Sequence, residues 1–259
     1  MGKINLQALD EKKSIEPLHL LLNKNGIDIS KIKSVSTGAK YSAVMLKNGN
    51  IGVCANIGNV INITEKEIQY PDLDNVQHRI LITAYFNALI NYSNIYQNDA
   101  DIFDIIDFTK YQNIHMTGLF RPIVKKFREN NISLTIFDLI KNDPNLSPIS
   151  EQMENLKNAD AVILSSTTLF NNTFLDFVNN TNIDCDIYML GPSSIMSKKI
   201  LQYRNIKIIF GSVFKKHDKR ILKIIEDGGG TQKFQKFGRK VYFGQMSSLK
   251  KGLTTDEHE

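Results

Sequence analysis

The chain has 259 residues, of which 42% are hydrophobic and 23% charged, and its formal net charge is +5 at pH 7. These values are typical of a globular protein with one or two cores, and they argue against a disordered or collagen-like chain. No apolar run approaches the roughly 20 residues that span a bilayer. The two cysteines, Cys54 and Cys185, do not suggest a disulfide framework.

The termini and the charge distribution bear on location and partners. Residues 1–10 lack a basic segment followed by an apolar core, so we expect no secretory signal and a reduced, cytoplasmic setting. The basic excess lies late in the chain, at Lys215, Lys216, Lys219, Arg220, Lys223, Lys233, Lys236, Arg239 and Lys240. We interpret it as a solvated face, and the alternatives are steering of a small anion or a nucleic-acid surface. No nucleic-acid-binding module is recognisable, so nucleic acid is not the expected partner.

The first hundred residues predict a small α+β domain. Leucines from Leu6 to Leu22 predict a helical region, interrupted near Pro17 and ended near Gly26. Three short strands follow, and Asn-Gly at 48–49 predicts a hairpin between the last two. A helix with apolar residues from Ile80 to Leu89 comes next. The predicted strands are Ile32 to Ser36, Tyr41 to Leu46 and Ile51 to Ala55.

Three polar residues among the first hundred can be interpreted in two ways. Lys40 lies directly before the second predicted strand and Tyr41 begins it, while Asn87 lies within an otherwise apolar helix. In one interpretation, Lys40 and Tyr41 belong to a turn and Asn87 makes a helix-packing hydrogen bond. In the other, all three face the second domain and line a shared cleft.

Residues 101–259 alternate strand, loop and helix, which predicts a parallel, Rossmann-like sheet with a polar tail after Gln245. We place the domain boundary between residues 100 and 101. The predicted strands are Ile114 to Thr117, Ser133 to Phe137, Ala161 to Leu164, Ile187 to Leu190, Ile206 to Phe210 and Val241 to Phe243. One predicted helix runs from Pro122 to about Asn130, and others cover about 150–158, 172–178, 197–202 and 218–226.

Hydroxyl- and glycine-rich loops follow three of these strands. Since the carboxyl ends of parallel strands meet at one edge, we expect the loops to form one site. Their hydroxyls and amides, at the starts of helices, favour a small anion. The alternative is that Thr168, Thr173 and Ser193 only cap helices. The candidate ligand-binding residues in the loops are Thr117, Gly118, Ser166, Thr167, Thr168, Gly191, Pro192, Ser193 and Ser194.

These loops, with pieces of the first domain, resemble the DUF364 family, which carries the label of heavy-metal chelation, preceded by a DUF4213 domain. The matching pieces are GAKYSAV (38–44), GNIGV (49–53), AYFNALIN (84–91), TGLFRPIV (117–124), ADAVILSSTTLFNNTFLDFV (159–178), LGPSS (190–194) and GS (211–212). The resemblance implies an enolase-N-terminal-like domain packed on a Rossmann-like domain, with a site between them. Phe120, Arg121, Asn171 and Thr173, which lie within these pieces, are further candidate ligand-binding residues.

The chain departs from the family pattern at three places. Ser166 stands where the family often has glycine, and Asn171-Asn172-Thr173 stands where it often has Asn-Gly-Thr. Asparagine tolerates left-handed backbone angles, so the second change is mild. Arg121 replaces a proline, and a cation at a helix start that points toward the cleft would alter ligand preference.

Asp138 lies 20 residues after Gly118, at the position where a dinucleotide fold places its ribose-binding carboxylate, so we name it as a candidate cofactor-binding residue. The loop lacks the full Gly-x-Gly-x-x-Gly motif, and a structural role is the alternative. Metal motifs are lacking, and we interpret His115 as a buried, hydrogen-bonded histidine. A chelator would therefore use oxygen ligands, or hold a small-molecule chelate.

Two functional hypotheses follow. The first is a cytoplasmic protein that binds a small anionic ligand or a metal chelate in an interdomain cleft, with heavy-metal chelation as the family implies. The second is an enzyme that uses a nucleotide-type cofactor. The sequence leaves the metal, the catalytic residues and the oligomeric state open, and a homo-oligomer is compatible with it.

Overall fold

The computed structural model describes residues 15–96, 101–139 and 143–244 of the chain. The predicted N-terminal helical segment before residue 15 and the predicted polar tail lie outside these ranges. Two sheets are present within them. The first contains β1 (Ile32–Thr37), β2 (Tyr41–Leu46) and β3 (Ile51–Ala55), and the second contains β4 (Ile114–Thr117), β5 (Thr135–Phe137), β6 (Ala161–Ser165), β7 (Asp186–Leu190), β8 (Ile206–Phe214) and β9 (Gly238–Gly244).

Helices cover both sheets. In chain order they are α1 (Pro17–Asn25), α2 (Val76–Ile90), α3 (Ile102–Ile105), α4 (Arg121–Glu129), α5 (Gln152–Lys157), α6 (Phe174–Asn180), α7 (Lys219–Glu226) and α8 (Thr231–Phe234). Short 3₁₀ turns include Asn91–Ser93, Ile149–Glu151, Ser166–Thr168 and Ile200–Gln202. None of the helices in the described ranges combines the length and apolar character that crossing a bilayer requires.

The second sheet confirms the predicted α/β fold with a mostly parallel sheet. Its strand order is β5-β4-β6-β7-β8-β9, and only the pairing of β8 with β9 is antiparallel. The chain passes from β4 to β5 on one side and then returns to β6 on the other side. The order therefore reverses between β4 and β6, and such a switch point is where open α/β sheets bind ligands.

The predicted end of β8 was wrong. The strand was predicted to end at Phe210, but it continues to Phe214. Its second half pairs with β9, from Gly211 opposite Val241 to Phe214 opposite Gly238. The antiparallel partner supplies the backbone hydrogen bonds that keep this segment extended, and such a partner cannot be inferred from local sequence.

The first sheet is buried on both faces. Alternate residues of β2 and β3 point to opposite sides, as the pleat requires. Val44, Leu46 and Cys54 lie in one cluster with α2, while residues 43, 45, 51 and 53 pack against Phe214 and helices α7 and α8. The C-terminal helices thus complete the core around the N-terminal sheet. The division of the chain at residues 100 and 101 into two domains, with an enolase-like first domain, stays a prediction.

Helix α2 is enclosed on all sides, since every residue from Arg79 to Ala88 is buried. Strand β3 approaches it closely at Gly52. A Cβ atom added there would lie 2.1 Å from the carbonyl oxygen of Ala84 and 2.3 Å from the amide nitrogen of Ala88. Because both are backbone atoms, no side-chain rotation could relieve the overlap.

We therefore expect Gly52→Ala to lower the free energy of unfolding by about 3 kcal/mol or more, the upper end of the usual cost of overpacking a core. Urea unfolding followed by circular dichroism measures this. Gly230→Ala is the matched control, since its Cβ would meet only the flexible Lys40 side chain, at 3.4 Å. Equal stability of the two variants would contradict the close contact between β3 and α2.

Candidate functional site

Three strand-end loops lie side by side at the switch point. Gly118, after β4, has a φ of +94°, and a Cβ there would be 3.2 Å from the Cβ of Ser165 at the end of β6. Gly191, after β7, has a φ of +142°, and a Cβ there would be 2.3 Å from Ser166 Oγ. Both glycines permit backbone angles and close approaches that other residues do not. The structure therefore brings the loops after β4, β6 and β7 together.

The loop after β6 carries a pair of hydroxyl groups toward this edge. Ser165 Oγ lies 2.8 Å from Thr167 Oγ1, and the Thr167 side chain is half-buried. Thr168 is buried and its hydroxyl donates to the Ser165 carbonyl oxygen at 2.8 Å. Ser166 Oγ is buried without a hydrogen-bond partner, next to Gly191. Within this loop, Thr167 is the hydroxyl group that remains accessible to a ligand.

Thr117 ends β4 with its side chain half-buried, and a buried network stands behind it. Thr117 Oγ1 is 3.0 Å from His115 Nε2, and His115 Nδ1 is 2.8 Å from Asn155 Oδ1 on α5. The His115 ring stacks on Phe137 with a centroid distance of 4.8 Å. Burial lowers the pKa of His115 to about 4, although its hydrogen bond with Asn155 opposes that shift. The prediction of a buried, hydrogen-bonded histidine is confirmed.

Asp138 holds the loop after β4 in place. The amide of Leu119 donates to Asp138 Oδ2, and the amide of Gly118 donates to the Phe137 carbonyl oxygen at 2.8 Å. The amide of Ile123 donates to the Phe120 carbonyl oxygen, and Pro122 has no amide hydrogen. Several donors that a pyrophosphate would use in a dinucleotide fold are thus already engaged.

The loop after β7 is held by the N-terminal elements. The buried side-chain amide of Asn87 donates to the carbonyl oxygens of Pro192, at 2.8 Å, and Ser194, at 3.1 Å. The backbone amide of Ala55 donates to Ser193 Oγ at 2.9 Å. Asn87, Ser193 and Ser194 are all at most 1% exposed. They therefore fix the loop against α2 and β3, and their side chains are closed to solvent.

The remaining predicted residues lie apart from the hydroxyl groups. Arg121 is exposed and pairs with Asp143 at 2.7 Å, so its cation is directed to the loop after β5. Tyr41 OH is 2.8 Å from Thr231 Oγ1, and the exposed Lys40 side chain lies near Gly230, so both accompany α8. Asn171 is exposed, and Thr173 makes no side-chain cap to α6. Phe120 is half-buried beside Gly118.

Arg79, Asn91 and Asn155 support the site, and none of them was predicted from the sequence. Buried Arg79 donates to the carbonyl oxygens of Phe170 (2.8 Å) and Leu169 (2.5 Å) and pairs with Glu16 at 2.7 Å. Asn91 donates to the Ser194 carbonyl oxygen at 2.9 Å. The spacing of residues 79, 83, 87 and 91 was an available signal, because four-residue steps place polar side chains along one ridge of a helix.

A bare soft metal ion does not fit the described residues. Among them, no cluster of three or more His, Cys, Asp or Glu side chains is suited to hold a metal. Cys54 and Cys185 are both buried and unpaired with each other. Burial raises the pKa of Cys54, and it raises the pKa of Cys185 to about 12, with a further rise from Asp186. At neutral pH both cysteines therefore remain protonated and do not provide thiolates, the ligands that soft metals prefer.

Comparison with known families agrees with this architecture. A family model for DUF364, described as "Putative heavy-metal chelation", matches residues 101–243, more than half of the chain. The chain belongs to the DUF364 family. The match begins at residue 101, so the likeness of residues 1–100 to a DUF4213 domain stays a prediction. No protein with a curated description matches this DUF364 chain significantly.

Two solved structures of DUF364 proteins of unknown function are similar in fold. A Desulfitobacterium hafniense protein has a TM-score of 0.72 and 15% identity, covering 93% of this chain and 100% of its own. A Pyrococcus horikoshii protein has a TM-score of 0.70 and 18% identity, covering 83% of this chain and 93% of its own. At such identities the likeness concerns the fold alone.

The buried His115 gives this DUF364 protein a measurable pH dependence. Its folded pKa of about 4 lies below the ordinary value of 6.5. Above pH 6.5 neither state is protonated there, and between pH 6.5 and 4 only the unfolded state binds the proton. The free energy of unfolding should therefore fall over this window by ~3 kcal/mol on account of His115, since one pKa unit is worth about 1.4 kcal/mol.

Urea unfolding at a series of pH values compares wild type with His115→Leu, which cannot titrate at this position. The variant should be less stable at pH 7 and should lose less stability between pH 6.5 and 4. The same pH slope in both proteins would show that His115 is not held neutral by burial.

Proposed function

We propose that this protein binds a small organic anion, free or as a metal chelate, at the edge formed by the loops after β4, β6 and β7. The observation that carries the proposal is the meeting of these loops at the switch point, where the residues Thr117 and Thr167 are half-buried. The net charge of +5 favours anionic ligands over cationic ones. The amides that begin helical turns add a local preference for negative charge.

The donor chemistry supports a chelate over a bare metal ion. The hydroxyl groups of Thr117, Ser165 and Thr167 at this edge are neutral oxygens, while both thiols are buried away from solvent. Neutral hydroxyls bind metal weakly by themselves, but they recognise the polar groups of an organic chelator by hydrogen bonds. The metal would then arrive with its own ligands, and the protein would recognise the complex.

The contacts of Asp138 weaken the alternative of a nucleotide-type cofactor. This carboxylate accepts the Leu119 amide, and the loop has one glycine where a dinucleotide fold has three. A nucleotide would have to displace contacts that hold the loop. We therefore rank ligand binding above cofactor-dependent catalysis, and we retain the cytoplasmic setting as part of the proposal.

Thermal unfolding with added probes tests the proposal. The probes are inorganic phosphate, citrate, citrate with Zn²⁺ or Ni²⁺, each metal alone, and ATP. A ligand at 100 times its Kd stabilises the folded state by about 2.7 kcal/mol, which raises Tm by roughly 5–10 °C for a chain of this size. We expect citrate or its metal complex to exceed both the metals alone and ATP.

Thr167→Val and Thr135→Val provide the matched comparison. Thr167 lies at the proposed site, whereas Thr135 begins β5, away from the carboxyl ends of the strands. Loss of one hydrogen bond should weaken binding about tenfold in Thr167→Val and leave Thr135→Val like wild type. The proposal fails if no probe stabilises the protein, or if both variants bind equally well.

A further inference from the structure

The hydrogen bonds behind Thr117 run in one direction only. Asn155 Oδ1 has no hydrogen, so His115 Nδ1, 2.8 Å away, must be the donor of that pair. A neutral imidazole carries one N–H, which leaves His115 Nε2 as an acceptor. The Thr117 hydroxyl, 3.0 Å from Nε2, therefore donates its hydrogen inward to the histidine.

The surroundings hold His115 in this neutral form. The side chain is 0% exposed and stacks on Phe137, so no water can supply an alternative partner. Burial keeps its pKa at about 4, well below neutral pH. The imidazole thus has a single N–H group, and that group donates its hydrogen bond to Asn155.

With its only hydrogen donated inward, Thr117 Oγ1 can accept hydrogen bonds but cannot donate one to a ligand. Gln152 Nε2 lies 3.5 Å away and makes at best a long contact with one lone pair. The other lone pair of Thr117 Oγ1 remains free to accept a hydrogen bond, on a half-buried side chain at the end of β4. A ligand atom that meets Thr117 must therefore bring its own hydrogen.

The neighbouring hydroxyl pair behaves differently. Ser165 Oγ and Thr167 Oγ1 share one hydrogen bond at 2.8 Å and carry two hydrogens between them. One hydrogen closes that bond, so the second is available to an acceptor such as a carboxylate oxygen. One edge of the sheet thus presents a fixed acceptor at Thr117 and an available donor at Ser165 and Thr167.

We infer that Thr117 is a fixed hydrogen-bond acceptor, oriented by His115 and Asn155, and that it selects a hydroxyl or amino group on the ligand. Together with the donor pair, this points to hydroxycarboxylates or aminocarboxylates, which combine such a group with carboxylate oxygens. The choice of ligand class rests on the proposed function, whereas the orientation of Thr117 does not.

Nitrogen-15 NMR of histidine-labelled full-length protein at pH 7 tests the orientation without any ligand. His115, assigned by its absence in His115→Leu, should be the neutral tautomer with hydrogen on Nδ1 and none on Nε2. Hydrogen on Nε2 instead would reverse the direction of the network and overturn the inference.

Calorimetric titration with citrate and tricarballylate tests the ligand class, since tricarballylate is citrate without its hydroxyl group. Wild type and Thr117→Ser should prefer citrate by roughly tenfold, the worth of one hydrogen bond, and Thr117→Val should lose that preference. Equal affinity of wild type for both acids, with the Nδ1 tautomer confirmed, would refute selection by Thr117 while leaving anion binding intact. If neither acid binds, the ligand class is refuted, and the tautomer alone still decides the orientation of Thr117.

Discussion

The buried guanidinium of Arg79 is the interaction on which the site depends most. It is 2% exposed, pairs with Glu16 at 2.7 Å, and donates to the carbonyl oxygens of Leu169 and Phe170. A buried charge is tolerated only when it is paired and fully hydrogen-bonded. The Arg79 guanidinium therefore requires both the Glu16 carboxylate and the two carbonyl oxygens. Since the two carbonyls directly follow the Ser166–Thr168 turn, the same side chain fixes the hydroxyl loop of β6 against α2.

The other end of α2 holds the loop after β7 in a comparable way. Asn87 and Asn91 both donate to the Ser194 carbonyl oxygen, and Asn91 Oδ1 accepts the amide of Met196 at 2.8 Å. Arg79 and Asn87 are eight residues apart, or roughly 12 Å along a helix. One helix, buried from Arg79 to Ala88, therefore sets the spacing of the loops after β6 and β7. Strand β4 brings the third loop, through its pairing with β6.

The fold was predictable where local signals were strong. Strands β2, β3 and β4 have the predicted bounds, because Asn48-Gly49 and Gly118 mark abrupt turns beside apolar runs. The site was predictable as three loops at one edge, but the role of each side chain was not. Asn155 reaches His115 across 40 residues, and Arg121 turns to Asp143. Such contacts depend on tertiary packing, which a local pattern does not contain.

Hydrogen exchange of backbone amides tests most directly whether α2 holds the two loops separately. Arg79→Lys keeps a cation beside Glu16 but cannot bind both carbonyls, whereas Asn87→Ala removes only the contacts to the other loop. We expect faster exchange at Asn171 and Thr173 in the first variant and at Ser194 in the second, with β6 unchanged in both. Unchanged exchange in both loops, or equal acceleration of both loops by each variant, would contradict the account.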